Sequence, residues 1–449
     1  MPPLPRVWPI HPIEIWVVVV ANGLVVTGMW VRHGGLNQLG TPAGVYTALG
    51  QLTALLGTYL ALVGLVLMSR SPWLDQLFGS DGLARWHRWV GFGTLWLLLG
   101  HAVFTTVGYA GQARSSLLDE GISLLTTYPY VLMATVALVL LVAVGVASVK
   151  AARRKLSYET WYGIHLYAYL AVALAFLHEL AVGTDFASDL VAQAYWVALY
   201  VVVIVLFVVF RIGQPIQLSL RHRFRVADVR QEAPGVVSVY LTGRRLDRLP
   251  VRAGQFFVWR FLAGGGWWRA HPFSLSAAPN SDYLRITIKS SGDDSQAFQR
   301  LAIGTRVFVE GPYGAFTGAR RRQPRVLLIA GGIGITPLRA LLEEFPPQQG
   351  AVTVLYRASS WDDVVFREEL DALAHARGAT IHYLVGRRRP DKRIAADPLD
   401  PRSLRHLVPD VQVRDVFICG PDPMIDAVRR ALRSLHVPNA QIHAERFAY

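Results

Sequence analysis

Cysteine is almost absent from this chain: Cys419 is the only one in 449 residues. An intrachain disulfide and a cysteine-built metal site are therefore excluded. Acidic residues are also few, 31 against 45 Lys and Arg, which leaves a formal net charge of +14. That surplus raises nucleic acid as a partner, but no basic helix or RNA-binding signature accompanies it, and no nucleic acid is expected. Arginines on cytoplasmic membrane loops and around an anionic nucleotide account for the charge instead. No D-x-D-x-D-G run is present, so calcium-binding loops are not expected. Only Arg6 precedes the first long apolar run, and no small-residue cleavage site is seen. That run reads as a first membrane helix, not a removed signal. No partner-binding extension is expected before it.

What the chain has in abundance is apolar sequence. Hydrophobic residues make up 52% and mean hydropathy is +0.32. The excess lies in residues 1–212, and the remainder reads as ordinary globular sequence. Six stretches approach the roughly 20 apolar residues that a bilayer crossing needs. They fall near 13–31, 43–68, 86–108, 128–149, 160–182 and 191–211. Arg70 and Arg85 lie between the second and third, and Lys150, Arg153, Arg154 and Lys155 between the fourth and fifth. Arg211, Arg221 and Arg223 follow the sixth, while Asp119, Glu120, Asp185 and Asp189 occupy the opposite loops. The positive-inside rule then places both termini in the cytoplasm of a multi-pass plasma-membrane protein.

Four histidines lie inside these spans. His87 and His101 are 14 residues apart in span three, and His165 and His178 are 13 apart in span five. Ionisable side chains at membrane depth are functional candidates by default, and histidine is a usual axial ligand of haem iron. Both spans run in the same direction, so His87 should pair with His165, and His101 with His178. At 1.5 Å rise per residue, the two levels stand about 21 Å apart. The 14-residue spacing keeps His87 and His101 on one face. The 13-residue spacing does not, and calls for a bulge or tilt in span five. Arg88 is a candidate for a haem propionate, and Trp96, between the levels, for a place on the electron path.

From about residue 213 the pattern changes to short alternating strands with Gly/Pro turns. Val236–Leu241, Gln255–Arg260 and Leu284–Lys289 suggest a small antiparallel barrel. It contains His271-Pro272-Phe273-Ser274-Leu275-Ser276, an edge strand broken by proline. Lys289-Ser290-Ser291-Gly292 follows, a turn able to present N–H groups to phosphate. Residues 319–449 alternate strand and helix, as a parallel α/β sheet does. The strand Arg325–Ala330 leads into Gly331-Gly332-Ile333-Gly334-Ile335-Thr336-Pro337 and a helix over Leu338–Phe345. The glycines allow close approach to a pyrophosphate, and the proline suits a helix start. Strand Val352–Tyr356 ends at Arg357, Thr380–Val385 at Gly386-Arg387-Arg388-Arg389, and Val416–Ile418 at Cys419-Gly420-Pro421. All of these loops follow carboxyl ends of strands, where such sheets bind ligands.

Together these residues resemble the NADPH oxidase and ferric reductase superfamily of transmembrane flavocytochromes b, over essentially the whole chain. The resemblance implies a six-helix transmembrane bundle plus a cytoplasmic ferredoxin-reductase-like module, an antiparallel β-barrel FAD domain and an α/β parallel-sheet NADPH domain. Their expected extents are 1–212, 213–318 and 319–449. It implies two haem b groups held by His87, His101, His165 and His178, with FAD and NADPH as further cofactors. The run Arg153–His165 is similar to the family's entry into span five. His271, Pro272, Phe273, Ser274 and Ser276, with Lys289 and Gly292, are then flavin-binding. Gly331, Gly332, Gly334, Thr336, Pro337, Gly420 and Pro421 meet the nucleotide. Cys419 stands near the nicotinamide and Tyr449 stacks on the flavin. Arg357, with Arg387 as a second candidate, would meet a 2′-phosphate. No acidic residue ends the Val352–Tyr356 strand, so NADPH is expected over NADH.

One position departs from the family. Many oxidases carry a further histidine one turn beyond the outer haem ligand of span three, where this chain has Thr105. The outer loop, roughly 109–127, is short and has no cysteine pair to hold a cap. Three acceptors are compatible with the path: O2, giving superoxide; a ferric chelate, in an outer cleft near Arg32, His33 and Arg114; or a protein or quinone partner. The oxidase is favoured because the chain is compact and lacks a chelate motif, and no cytosolic activator is expected.

Overall fold

The computed structural model of the chain describes residues 12–153, 155–183, 189–264, 267–289, 298–386 and 398–446. It forms two compact units. One comprises the described residues of 12–71 and 82–211, the other 72–81 and those from 212 onward.

The helical unit is built from apolar segments whose starts are marked by side-chain caps. Thr41 accepts from Gly44 N with Pro42 in the first turn, Ser157 accepts from Thr160 N, and Asp189 from Val191 N. Each satisfies a backbone donor that a helix start leaves open. Among the described residues six helices are long and apolar enough to cross a membrane: Ile13–Arg32, Pro42–Leu67, Ser80–Ala113, Val131–Ser148, Thr160–Val182 and Leu190–His222. These are spans one to six of a multi-pass membrane protein. Large apolar side chains such as Val18, Leu24, Val139 and Val202 point outward, as lipid-facing positions do. Inside, Val26, Tyr59, Leu62, Trp196, Tyr200 and Val203 join spans one, two and six.

Three features differ from the sequence reading. Span three is longer at both ends than the expected 86–108. The segment after it is largely helical, Leu117–Thr127, because Ser116 caps it by accepting from Asp119 N. Span six is interrupted by a π-helical turn, Val208–Gly213, before continuing as Gln214–His222.

In the second unit, six strands form two three-stranded antiparallel sheets. They are β1 (Arg225–Ala233), β2 (Val236–Thr242), β3 (Phe256–Phe261), β4 (His271–Ser274), β5 (Leu284–Lys289) and β6 (Val307–Tyr313). The orders are β1-β2-β5 and β4-β3-β6, with bridges Arg225↔Arg306 and Leu275↔Ile286 between them. Phe257, Trp259, Leu275 and Ile286 fill the barrel. β4 is an edge strand, where Pro272 sacrifices no ladder bond.

Five parallel strands follow, in the order β11-β10-β7-β8-β9. They are β7 (Arg325–Gly331), β8 (Val352–Ala358), β9 (Thr380–Val385), β10 (Arg414–Gly420) and β11 (Ile442–Arg446). Along β7, Val326, Leu328 and Ala330 enter one core and Leu327 and Ile329 the other. A strand covered on both faces reads as an unbroken apolar run. The short helix Pro72–Phe78 belongs to this unit. Arg320 donates to Leu77 O at 3.1 Å, and Asp75 accepts from Gly314 N.

Candidate functional site

In the helical unit the candidate site grows from glycine. Gly50, Gly57 and Gly64 recur every seven residues along span two, so they fall on nearly the same face of the helix. A Cβ on Gly50 would lie 2.5 Å from Thr105 Oγ1, and one on Gly57 2.8 Å from Leu98 Cδ2. Spans two and three therefore approach closely at both positions, against backbone at Gly50 and against side chains alone at Gly57. This closeness exposes two carbonyls to ring nitrogens. His101 Nδ1 bonds Gly50 O at 2.9 Å, and His87 Nδ1 bonds Gly64 O at 3.1 Å. Thr105 adds a hydroxyl contact to His101 Nδ1 at 3.2 Å. A histidine held through Nδ1–H presents Nε2 as a ligand, the usual outer-shell arrangement at metal sites.

Span five supplies the opposite rings. The His87 and His165 ring centres are 5.9 Å apart. His101 and His178 line one cavity of about 610 Å³. His87 and His165 are brought together, and His101 and His178 share a cavity, although span five is an uninterrupted helix and shows no bulge. His165 Nδ1 and His178 Nδ1 are buried and have no hydrogen-bond partner.

These residues fit haem iron. Each level offers two ring nitrogens, the number a porphyrin leaves open at its iron. The cavity lies within the usual range for small-molecule sites. Among the described residues no three His, Cys, Asp or Glu side chains converge on a bare metal ion.

The cavity also holds residues that sequence reasoning did not single out. Glu179, beside His178, accepts from Thr58 Oγ1 at 2.6 Å and from Tyr200 OH at 2.8 Å. The helix Leu117–Thr127 contributes Gly121, Leu124 and Leu125 to the lining. Trp96, by contrast, is 70% exposed on the outer surface of span three, which removes it from the space between the levels. Arg88 is exposed. Arg32 and His33 are tied to Asp189 Oδ2 at 3.1 and 2.9 Å, and Arg114 is exposed.

In the second unit, His271 and Phe273 share one face of β4, their rings stacked with centres 6.0 Å apart. Phe298 packs edge-on against both. Pro272 is exposed and Ser274 is 6% exposed. Ser276 does not join them. It is fully buried, its hydroxyl receives bonds from Thr287 Oγ1 and Arg285 Nε, and its carbonyl receives Arg285 Nη2. Its hydroxyl and carbonyl are thus engaged within the protein interior. Lys289 pairs with Asp363 at 3.1 Å, and that bond holds the Asp363 carboxyl below its usual range. Gly292, Arg387 and Tyr449 lie outside the described residues.

The loops after β7 and β10 pack backbone against backbone. A Cβ on Gly334 would lie 2.3 Å from Cys419 O, and one on Gly420 3.0 Å from Gly331 Cα. Gly332 has φ +53°, a conformation that suits glycine. Thr336 donates to Ile333 O at 3.0 Å and so braces the turn, with buried Pro337 in the first helical turn behind it. Pro421 is exposed beside this loop. Burial, with the nearby Glu445 carboxyl, pushes the Cys419 thiol up and keeps it protonated. Arg357, at the end of β8, donates through Nη1 to Ala358 O and Leu384 O at 2.8 and 2.7 Å.

Comparison with known proteins places these sites in families. Residues 53–176 match a ferric reductase like transmembrane component, 222–317 an FAD-binding domain and 328–430 an oxidoreductase NAD-binding domain. Similar curated proteins include a flavohemoprotein of Oceanobacillus iheyensis, 25% identical over 50% of this chain and 58% of its own. Another is the ferredoxin reductase component of a 3-ketosteroid-9-alpha-monooxygenase from Rhodococcus rhodochrous, 30% identical over 45% of this chain and 57% of its own. The chain thus spans about half the length of the curated relatives it matches. Among solved structures, the FAD/NAD-binding domain of a Vibrio cholerae nitric oxide dioxygenase covers 50% of this chain and 98% of its own, at 25% identity and TM-score 0.41.

Proposed function

We propose, from the premise that this chain has the domain architecture of the NADPH oxidases and ferric reductases, that it carries electrons from NADPH through FAD and two haem b groups to an acceptor on the opposite face of the plasma membrane, with O2 reduced to superoxide. The observation that carries this reading is the pair of histidine levels on spans three and five, one with ring centres 5.9 Å apart and one on a cavity of about 610 Å³. Haem bound there supplies one-electron redox chemistry, and a flavin is the group that accepts a hydride and returns single electrons.

The chain's own residues have definite tasks in this scheme. Gly50 and Gly64 carbonyls orient His101 and His87, and the apolar spans keep water from both levels. His271, Phe273 and Ser274 hold the flavin, with Lys289, Gly292 and the terminal Tyr449 completing its site. The Gly331–Pro337 turn and Gly420-Pro421 receive the pyrophosphate, and Cys419 borders the nicotinamide. The Arg357 charge, with Arg387, favours NADPH over NADH. Positive charge in the loops after spans two and four puts both termini in the cytoplasm. Oxygen is preferred as acceptor because the chain is compact and lacks a chelate motif, and because two of the three residues named for a chelate cleft, Arg32 and His33 but not Arg114, are paired with Asp189. No cytosolic activator is required.

The test uses purified, haem-loaded protein with FAD and NADPH in air, following cytochrome c reduction with and without superoxide dismutase. Strong inhibition by the dismutase is expected. Weak inhibition overturns the oxygen reading and points to direct transfer, as to a ferric chelate or a protein partner. A higher kcat/KM with NADH in the same assay overturns the coenzyme assignment.

A further inference from the structure

We infer that four charged side chains, Arg285, Arg339, Glu343 and Glu369, form a clasp between the barrel and the parallel-sheet domain that sets how closely the nicotinamide approaches the flavin. The inference rests on reading this unit as an NAD(P)H-to-flavin reductase. Arg285 is on β5, Arg339 and Glu343 are on the helix Ile335–Glu344, and Glu369 is on the helix Arg367–Arg377. Glu369 bridges the arginines. Its Oε2 accepts from Arg285 Nη1 at 3.0 Å, and its Oε1 pairs with Arg339 Nη2. Both arginines also reach the carbonyl of Ser276, Arg285 through Nη2 at 2.7 Å and Arg339 through Nη1 at 3.2 Å. Glu343 pairs with Arg339 and accepts from Ala278 N at 2.6 Å.

The connectivity decides what this cluster does. Ser276–Ala278 is the exit of the strand that carries His271, Phe273 and Ser274. The helix Ile335–Glu344 begins inside the Gly331–Pro337 turn. The cluster therefore joins the chain leaving the flavin strand to the helix that starts at the nucleotide turn, with no loop between them. The arginines are 3% and 4% exposed. Taking two guanidiniums out of water offsets much of their attraction to the carboxylates, and apolar side chains of similar volume would hold the domains about as strongly. What the charged groups add is direction, because a guanidinium fork fixes angle as well as distance. Hydride transfer depends on that control: reacting atoms must approach to about 3–3.5 Å, and a misplacement of about 1 Å costs roughly a hundredfold in rate. The neighbouring Lys289–Asp363 pair is 44% and 36% exposed, so solvent screens it and it constrains less.

The test uses the full-length, FAD-loaded enzyme in nanodiscs, with flavin reduction by NADPH followed anaerobically by stopped flow. Glu369→Gln removes the bridging charge, and Arg339→Lys keeps a charge but removes the fork. The expected result is FAD content and the Kd for NADPH within about twofold of the parent, with a limiting flavin-reduction rate lower by tenfold or more. The charge-transfer absorbance of the NADPH–flavin complex should weaken in parallel. Glu369→Asp, which retains the carboxylate, should recover part of the rate. Variants that bind both cofactors and reduce flavin at the parent rate overturn the clasp. So does loss of FAD from both variants, which would make the cluster a support of the fold and not of the approach. If the parent enzyme's flavin is reduced by neither NADPH nor NADH, the functional reading itself fails, and the clasp with it.

Discussion

Histidine and glutamate in this chain take opposite characters from their surroundings. His87 and His101 turn one nitrogen to a glycine carbonyl, which leaves the other for a ligand. Glu445, on β11, is half-buried with Asp75 and Asp81 nearby, and desolvation first, then those carboxyls, push its own carboxyl well above the usual range. A carboxyl whose pKa in the fold exceeds its unfolded value of about 4.3 stabilises fully only below that value, and the contribution is lost as pH rises through the folded pKa. Glutamine mimics the protonated form. Glu445→Gln is therefore expected to raise Tm at pH 8, on the order of the 2–4 °C that 1 kcal/mol brings in a domain of this size, and to leave it unchanged near pH 4. Thermal unfolding across pH checks this, and equal shifts at both pH values would contradict it. None of this is legible from the sequence, where Glu445 is one acid among 31.

At the scale of elements, span two is the support on which span three is registered. Its glycines stand at 50, 57 and 64, and the histidines it serves at 87 and 101 share the same 14-residue interval. That signal is present in the sequence, but the helix pairing it encodes becomes visible only once the helices are packed. The contacts separate two substitutions. A Cβ at Gly50 would meet the Thr105 backbone nitrogen at 3.0 Å, which cannot move away alone, whereas one at Gly57 meets only Leu98 and Leu97 side-chain atoms. Gly50→Ala is expected to cost about 1–3 kcal/mol, as overpacking does. It should also deplete haem at the His101 level by the 10–100-fold in affinity that outer-shell changes bring. Gly57→Ala should leave haem content near normal. Pyridine haemochrome assay and low-temperature spectra of both variants decide it, and equal haem loss in the two would refute the register argument. The same scale explains the segment after span three, which reads as a loop. Leu117–Thr127 is too short to cross a membrane and too polar at its start to look like a span. Its helix is settled by the Ser116 cap and by Leu124 and Leu125 facing the cavity.

For the whole molecule, the proposed path is a series of cofactors, and a series can be cut at one point. His178 belongs to the later level, so His178→Ala should remove one haem of two and abolish reduction of an outer acceptor. NADPH-dependent flavin reduction should stay within about twofold of the parent, because the flavin and nucleotide residues lie in the other compact unit. A variant that retains two haems per chain contradicts the pairing of His178 with His101. The orders of the sheets serve the same division of labour. The barrel presents its aromatic pair on an edge strand, and the parallel sheet gathers the β7, β8 and β10 loops at its carboxyl edge, where their turn residues already pointed.

By itself, the sequence determined the six apolar spans, the two histidine levels, the barrel followed by a parallel sheet, and the glycine turns at the ends of β7 and β10. Each of these is written in local periodicity or spacing, which needs no knowledge of neighbours. Only the tertiary structure decided the rest. It showed that Ser276 faces inward, that Trp96 faces outward, that Arg32 and His33 are held by Asp189, and that two guanidiniums from distant segments converge on one carbonyl while two carboxylates bind them. Those outcomes depend on which surfaces meet across long stretches of chain, and a residue's own type does not report what packs against it.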